Sequence, residues 1–178
     1  MLNKSARYTH LLDLLDKELQ SPTFRYDEYK EILRDMFEEN KVSESFINKY
    51  LIQQHVSYDP HIWKTLFSYQ DVTEKFIEEV EQYWSGRQST VIWNTICTYQ
   101  NLSVDFVRRH KSSIFFKNLI HEGTDINVFL EFEDHYDNWN YLLTAVCWPK
   151  KQLLKLLNKE WENEATKIKY LSRLKSTT

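Results

Sequence analysis

The chain has 178 residues, 42% hydrophobic, 28% charged and 15% aromatic, with a formal net charge of -3; that length suits one domain or two small ones, and the charge gives no bulk attraction for nucleic acid. Only two glycines and three prolines occur, which excludes Gly-rich phosphate loops, dinucleotide fingerprints and nucleophile elbows, because each needs glycine where the backbone takes a positive φ or closes on a ligand. Tight β-hairpins lean on the same residue, so the composition points to an all-α chain.

In chain order, Leu11, Leu12, Leu14 and Leu15 begin a first helix that Ser21-Pro22 ends. Residues 26–39 predict a second, with Tyr29, Ile32, Leu33, Met36 and Phe37 on its buried side. An internal repeat follows. Val42-Ser43-x-x-Phe46-Ile47, Val72-Thr73-x-x-Phe76-Ile77 and Leu102-Ser103-x-x-Phe106-Val107 recur every 30 residues. Trp63-x-x-Leu66-x-x-Tyr69-Gln70 and Trp93-x-x-Ile96-x-x-Tyr99-Gln100 alternate with them at the same interval, and Leu33 and Met36 stand one interval earlier as a worn leading copy. Past Trp93 the spacing shortens to 23, through Phe116 to Trp139. Twenty-three is then the basic period, and the 30-residue copies carry seven extra residues in segments 51–60 and 81–91. Asp125 stands where the period calls for Leu102, which makes the last copy degenerate.

Each segment has a physical reading. Ser43, Thr73 and Ser103 are N-caps, and the apolar residue before each forms a hydrophobic staple with Ile47, Ile77 or Val107. Trp, Leu or Ile, and Gln at i, i+3 and i+7 share one helix face, and Gln70 and Gln100 are placed to bond the backbone of a turn. Neither helix buries its stripe alone. The expected fold is therefore all-α, with short helical hairpins stacked as a compact α-solenoid-like array between capping helices. The organisation is a single compact domain: N-terminal caps over 1–40, repeats over 41–147 and basic C-terminal helices over 148–178. That last stretch opens on Pro149 and holds eight Lys and Arg against three Glu, leaving -8 on the remainder. Cys97 and Cys147 have neither zinc nor redox spacing and read as packed thiols. No run approaches the roughly 18 apolar residues of a membrane span, so a soluble, cytoplasmic protein is expected.

The alternation of Leu-Ser-x-x-Phe-Ile with Trp-x-x-Ile-x-x-Tyr-Gln, best seen from Trp93 through Gln100, Leu102, Ser103, Phe106 and Val107 to Phe116, resembles a repeat found in bacteriophage and large DNA virus proteins of unknown function. The resemblance covers about residues 42–145. It implies a scaffold without a defined activity, and an origin in which small accessory proteins bind and block host machinery or immune systems such as CRISPR effectors.

Candidate chemistry is sparse. Histidines 10, 55, 61, 110, 121 and 135 are scattered, and Glu131, Glu133, Asp134 and Asp137 around His135 match no calcium loop. No catalytic residue, metal or cofactor is expected. Two surface features stand out. Tyr83, Trp84 and Arg87 in one insertion and Tyr58 in the other are the residue types that dominate binding hot spots, and the interaction reading expects them to be exposed partner contacts, with packing in the core the alternative for Trp84. Arg108, Arg109 and Lys111 form a basic cluster at a helix end, suited to the helix macrodipole, to phosphates or to an acidic partner. The leading expectation is a non-enzymatic interaction module, a phage or viral accessory protein that binds and inhibits a host protein such as a CRISPR-type effector. The alternative is a nucleic-acid binder using 108–111 and the C-terminal lysines, and a homodimer is open under either.

Overall fold

The computed structural model describes residues 4–54, 59–121, 123–132 and 135; the expected C-terminal helices from Pro149 and the copy at Trp139 lie outside them. The described residues are all-α, with no strand among them. Contacts divide the chain into two compact units, Met1–Gln100 and Asn101–Thr178. In the first unit, α1 (Lys4–Gln20) and α2 (Tyr26–Glu39) are followed by α3 (Glu44–Ile47), which widens into a π-helical turn, Asn48–Ile52. Next come α4 (Pro60–Tyr69), α5 (Glu74–Val80) with a 3-10 turn at Glu81–Tyr83, and α6 (Gly86–Tyr99). α1 packs on α2, α2 on α4 and α4 on α6.

The repeat is visible in what each position buries. Leu33, Trp63 and Trp93 are buried, as are Met36, Leu66 and Ile96, and Phe37, Phe67 and Cys97. Spaced i, i+3 and i+4, they form one stripe on each of α2, α4 and α6. The worn leading copy is therefore a full structural member. Residues 41–50 and 71–80 repeat their burial position for position, with Phe46, Ile47 and Tyr50 matched by Phe76, Ile77 and Val80. Ser43 and Thr73 have extended backbone, and their hydroxyl oxygens accept from the Phe46 and Phe76 amides. Each such cap contributes about 1 kcal/mol.

Glutamine joins one copy to the next. The last carbonyls of an α-helix have no partner within it, and burying them unpaired is costly. Gln70 ends α4, its amide N–H donating to the Leu66 carbonyl at 2.8 Å. Its side-chain Nε2 donates back to the Phe37 and Asn40 carbonyls at the end of α2, and its Oε1 accepts from the Val42 N–H at 3.0 Å. Gln100 does the same one copy on, with Nε2 on the Phe67 and Gln70 carbonyls at 2.6 and 2.7 Å and Oε1 on the Val72 N–H at 3.2 Å. Asn40 occupies the equivalent place in the leading copy; one methylene shorter, it leaves its buried Nδ2 without a partner among the described residues.

The second unit carries the shortened copies. α7 (Val104–Arg109) is capped by Ser103, whose Oγ accepts from the Phe106 N–H, and buries Phe106 and Val107. The segment corresponding to α4 and α6 shrinks to a 3-10 turn, Phe116–Leu119, which is where the shorter period loses its helical turns. α8 (Ile126–Glu131) opens the degenerate copy, and Asp125 is its N-cap, accepting from the Asn127 N–H at 2.9 Å. Its carboxylate replaces the hydroxyl one residue ahead of the strict period.

Replacing Gln100 by Ala strands two buried carbonyls and one N–H, and urea denaturation is expected to register a loss of about 2–4 kcal/mol. Gln82→Ala, which removes an exposed bond to the Glu79 carbonyl, is the control and stays within about 0.5 kcal/mol.

Candidate functional site

The repeat leaves a groove between corresponding turns of successive copies. Thr73 positions one of its lining residues, Glu44: the Thr73 hydroxyl caps α5 and also donates to Glu44 Oε1 at 2.7 Å, while the Thr73 N–H donates to the same oxygen at 2.8 Å. The start of α3 is thereby stitched to the start of α5. Near this stitch lies a groove of about 440 Å³, lined by the apolar or aromatic Ile52, Phe76, Val80 and Tyr83 and by the polar Glu44, Ser45, Asn48, Glu79 and Gln82. Asn48 and Ile52 belong to the π-helical turn, a form of wide turn frequent at functional sites. Tyr29 holds that turn in place, its hydroxyl donating at 2.7 Å to the Tyr50 carbonyl. Burial, with the nearby Tyr50 and Asp16, pushes the Tyr29 phenol well above the ordinary tyrosine range, so it remains a donor. The Tyr50 hydroxyl in turn donates to Asp16 at 2.9 Å.

Of the expected partner contacts, the groove takes in Tyr83, which is half-buried. Arg87 is exposed in the first turn of α6, and Tyr58 lies outside the described residues. Trp84 corrects the expectation. Only 7% exposed, it meets Trp63, Phe67 and Trp93 edge to face, with ring centroids 5.6, 5.7 and 6.1 Å away. Such tilted pairs suit the charge distribution of aromatic rings. Within the segment 83–88, Trp84 turns inward toward α4 and α6 while residues 85–87 stay exposed, and Gly86, at φ +53, lets the chain re-enter the next helix. The other link ends at Asp59, which caps α4 by accepting from the His61 N–H at 2.8 Å and pairs with Lys30 at 3.0 Å. Burial raises its pKa, but Lys30 and the His61 amide outweigh that and hold the carboxyl below the usual aspartate value.

In the second unit the basic cluster is exposed, and Arg108 has acidic partners within the unit. Arg108 Nε donates to Glu131 at 2.7 Å, and the same guanidinium pairs with Asp105. Hydrogen bonds first to Glu131 and then to Asp105 raise its pKa. The Arg109 guanidinium carbon lies 5.7 Å from the Phe106 ring centre, and Lys111 Nζ 5.9 Å from that of Phe132. Arg108 therefore links α7 to α8. Cys97 is a buried free thiol in the α6 stripe, and Cys147 lies outside the described residues. No group of three or more His, Cys, Asp or Glu among the described residues is placed to hold a metal; Glu133, Asp134 and Asp137 lie outside them. No helix among the described residues is long and apolar enough to cross a membrane. The chain matches no family model, no curated protein and no solved structure.

The groove residues Glu44, Asn48, Ile52, Glu79 and Gln82 had no individual signal in the sequence. The one available clue was the pairing of Glu44 with Thr73 across 29 residues, nearly the repeat spacing.

Two outcomes follow. Trp84→Ala opens a cavity among three aromatic rings and should cost about 3–5 kcal/mol, read by denaturation and by loss of the near-ultraviolet dichroism. Asp59, with its folded pKa lowered, stabilises fully above the ordinary aspartate value of about 4 and loses that contribution as pH falls through the folded value. Asp59→Asn should therefore flatten the acid side of a melting-temperature profile between about pH 5 and pH 2.

Proposed function

We propose that the chain is a non-enzymatic protein-interaction module whose contact surface is the groove between α3 and α5. The observation carrying this reading is the groove itself: a concave surface lined by both apolar and polar side chains, between helix starts fixed by the Glu44–Thr73 stitch. Surfaces of this kind with a few placed polar groups are the usual form of a binding site. The repeated polar residues that offered alternative chemistry have backbone work instead, Ser43 and Thr73 as caps and Gln70 and Gln100 as links. The partner is a protein; a host factor blocked by a phage or viral accessory protein is the version to which the repeat's resemblance leads. The engagement of Arg108 with Glu131 and Asp105 weighs against the nucleic-acid alternative.

The test is affinity capture from host-cell lysate at two salt concentrations, with and without nuclease, by wild type, Tyr83→Ala and Arg87→Ala. A protein that survives nuclease and is lost with Tyr83→Ala is the expected result. Recovery that disappears with nuclease, or falls steeply with salt, would replace this reading with nucleic-acid binding.

A further inference from the structure

The charge of the groove narrows the partner. Its lining has two carboxylates, Glu44 and Glu79, and no lysine or arginine among the described residues. The unit around it has the same sign, with eleven Lys and Arg against sixteen Asp and Glu over residues 1–100. Glu44 is held by two hydrogen bonds, both to Oε1, and its Oε2 has no partner among the described residues. A charged acceptor is therefore already immobilised, which lowers the ordering cost of binding. Glu79 has only an exposed pairing with Lys75 at 3.3 Å, of the kind that contributes little and is readily exchanged.

An anionic partner would set its charge against both carboxylates. A purely apolar one would desolvate them with no compensation. An arginine beside an aliphatic residue answers both features, since its planar fork matches a carboxylate, its face stacks on an aromatic ring and its stem covers apolar surface. The volume of about 440 Å³ falls within the range of ligand pockets. Resting on the interaction-module reading, we infer that this groove docks an arginine-containing segment of a partner protein. Glu44 and Glu79 hold the guanidinium, and Ile52, Phe76, Val80 and Tyr83 take the adjoining aliphatic side chain.

The probe is acetyl-Leu-Arg-Leu-amide, titrated into the full 15N-labelled chain and followed by amide chemical shifts. The control is the same peptide with citrulline, which keeps the shape and removes the charge. Saturable shifts at Glu44, Asn48, Glu79 and Tyr83 are expected. Binding should weaken at least tenfold with citrulline, and likewise in Glu44→Gln or Glu79→Gln; the exposed Glu79 serves alone if Glu44→Gln perturbs the fold. Equal affinity for both peptides, saturation at another surface, or no saturable shift up to about 5 mM peptide would overturn the inference. If the peptide fails while Tyr83→Ala still loses a captured protein, arginine recognition falls and the interaction module stands; failure of both removes both.

Discussion

The buried ends of α2 and α4 impose the constraint on which the first unit depends. Their final carbonyls face the next copy, away from water, and an amide side chain from that copy must reach them. Glutamine has the length and both functions: Nε2 closes the preceding helix, while Oε1 receives the first N–H of the following segment. Because the same atoms are bonded at each step, the offset between copies is set by hydrogen-bond geometry as well as by packing. That offset brings Glu44 to Thr73 and so determines the width of the groove between α3 and α5.

The two 30-residue copies use their additional residues differently. After α3, the chain makes a π-helical turn and a link that returns at Asp59, anchored by Tyr29 on the Tyr50 carbonyl and by Lys30 on Asp59. After α5, it makes a single 3-10 turn, and α6 begins with four residues more than α4 has at its start. Trp84 sits at this second junction and fills the space over Trp63, Phe67 and Trp93. The insertion thus adds Trp84 to the core and leaves Tyr83, at the groove, and the exposed Arg87 for recognition.

Ionic residues divide in the same way between holding and being available. Arg108 bridges α7 to α8, and Arg25 holds the mostly buried Glu18 at 2.6 Å, which lowers the pKa of that carboxyl. These contacts consume charges that stand out in the sequence. The groove, by contrast, collects two glutamates among many, notable only because they share one concave surface. Tyr69 and Tyr99 show the complementary case: they recur at the repeat spacing and are still about half exposed, at 50% and 52%.

The sequence by itself determined the helical class, the boundaries of α2, the serine and threonine caps, the buried stripes and the backbone role of the glutamines. All of these follow from spacing along a helix or from the chemistry of its ends, which act over a few residues. α1 starts earlier than its leucines indicated, at Lys4, since an exposed polar turn has no apolar signature. Only the tertiary structure decided that Trp84 turns inward, that Arg108 pairs with Glu131, and that Glu44 and Glu79 share a groove. Those outcomes depend on which residue lies across from which at separations of some 20 to 35 residues, where the direction of a side chain is set by the packing of its neighbours.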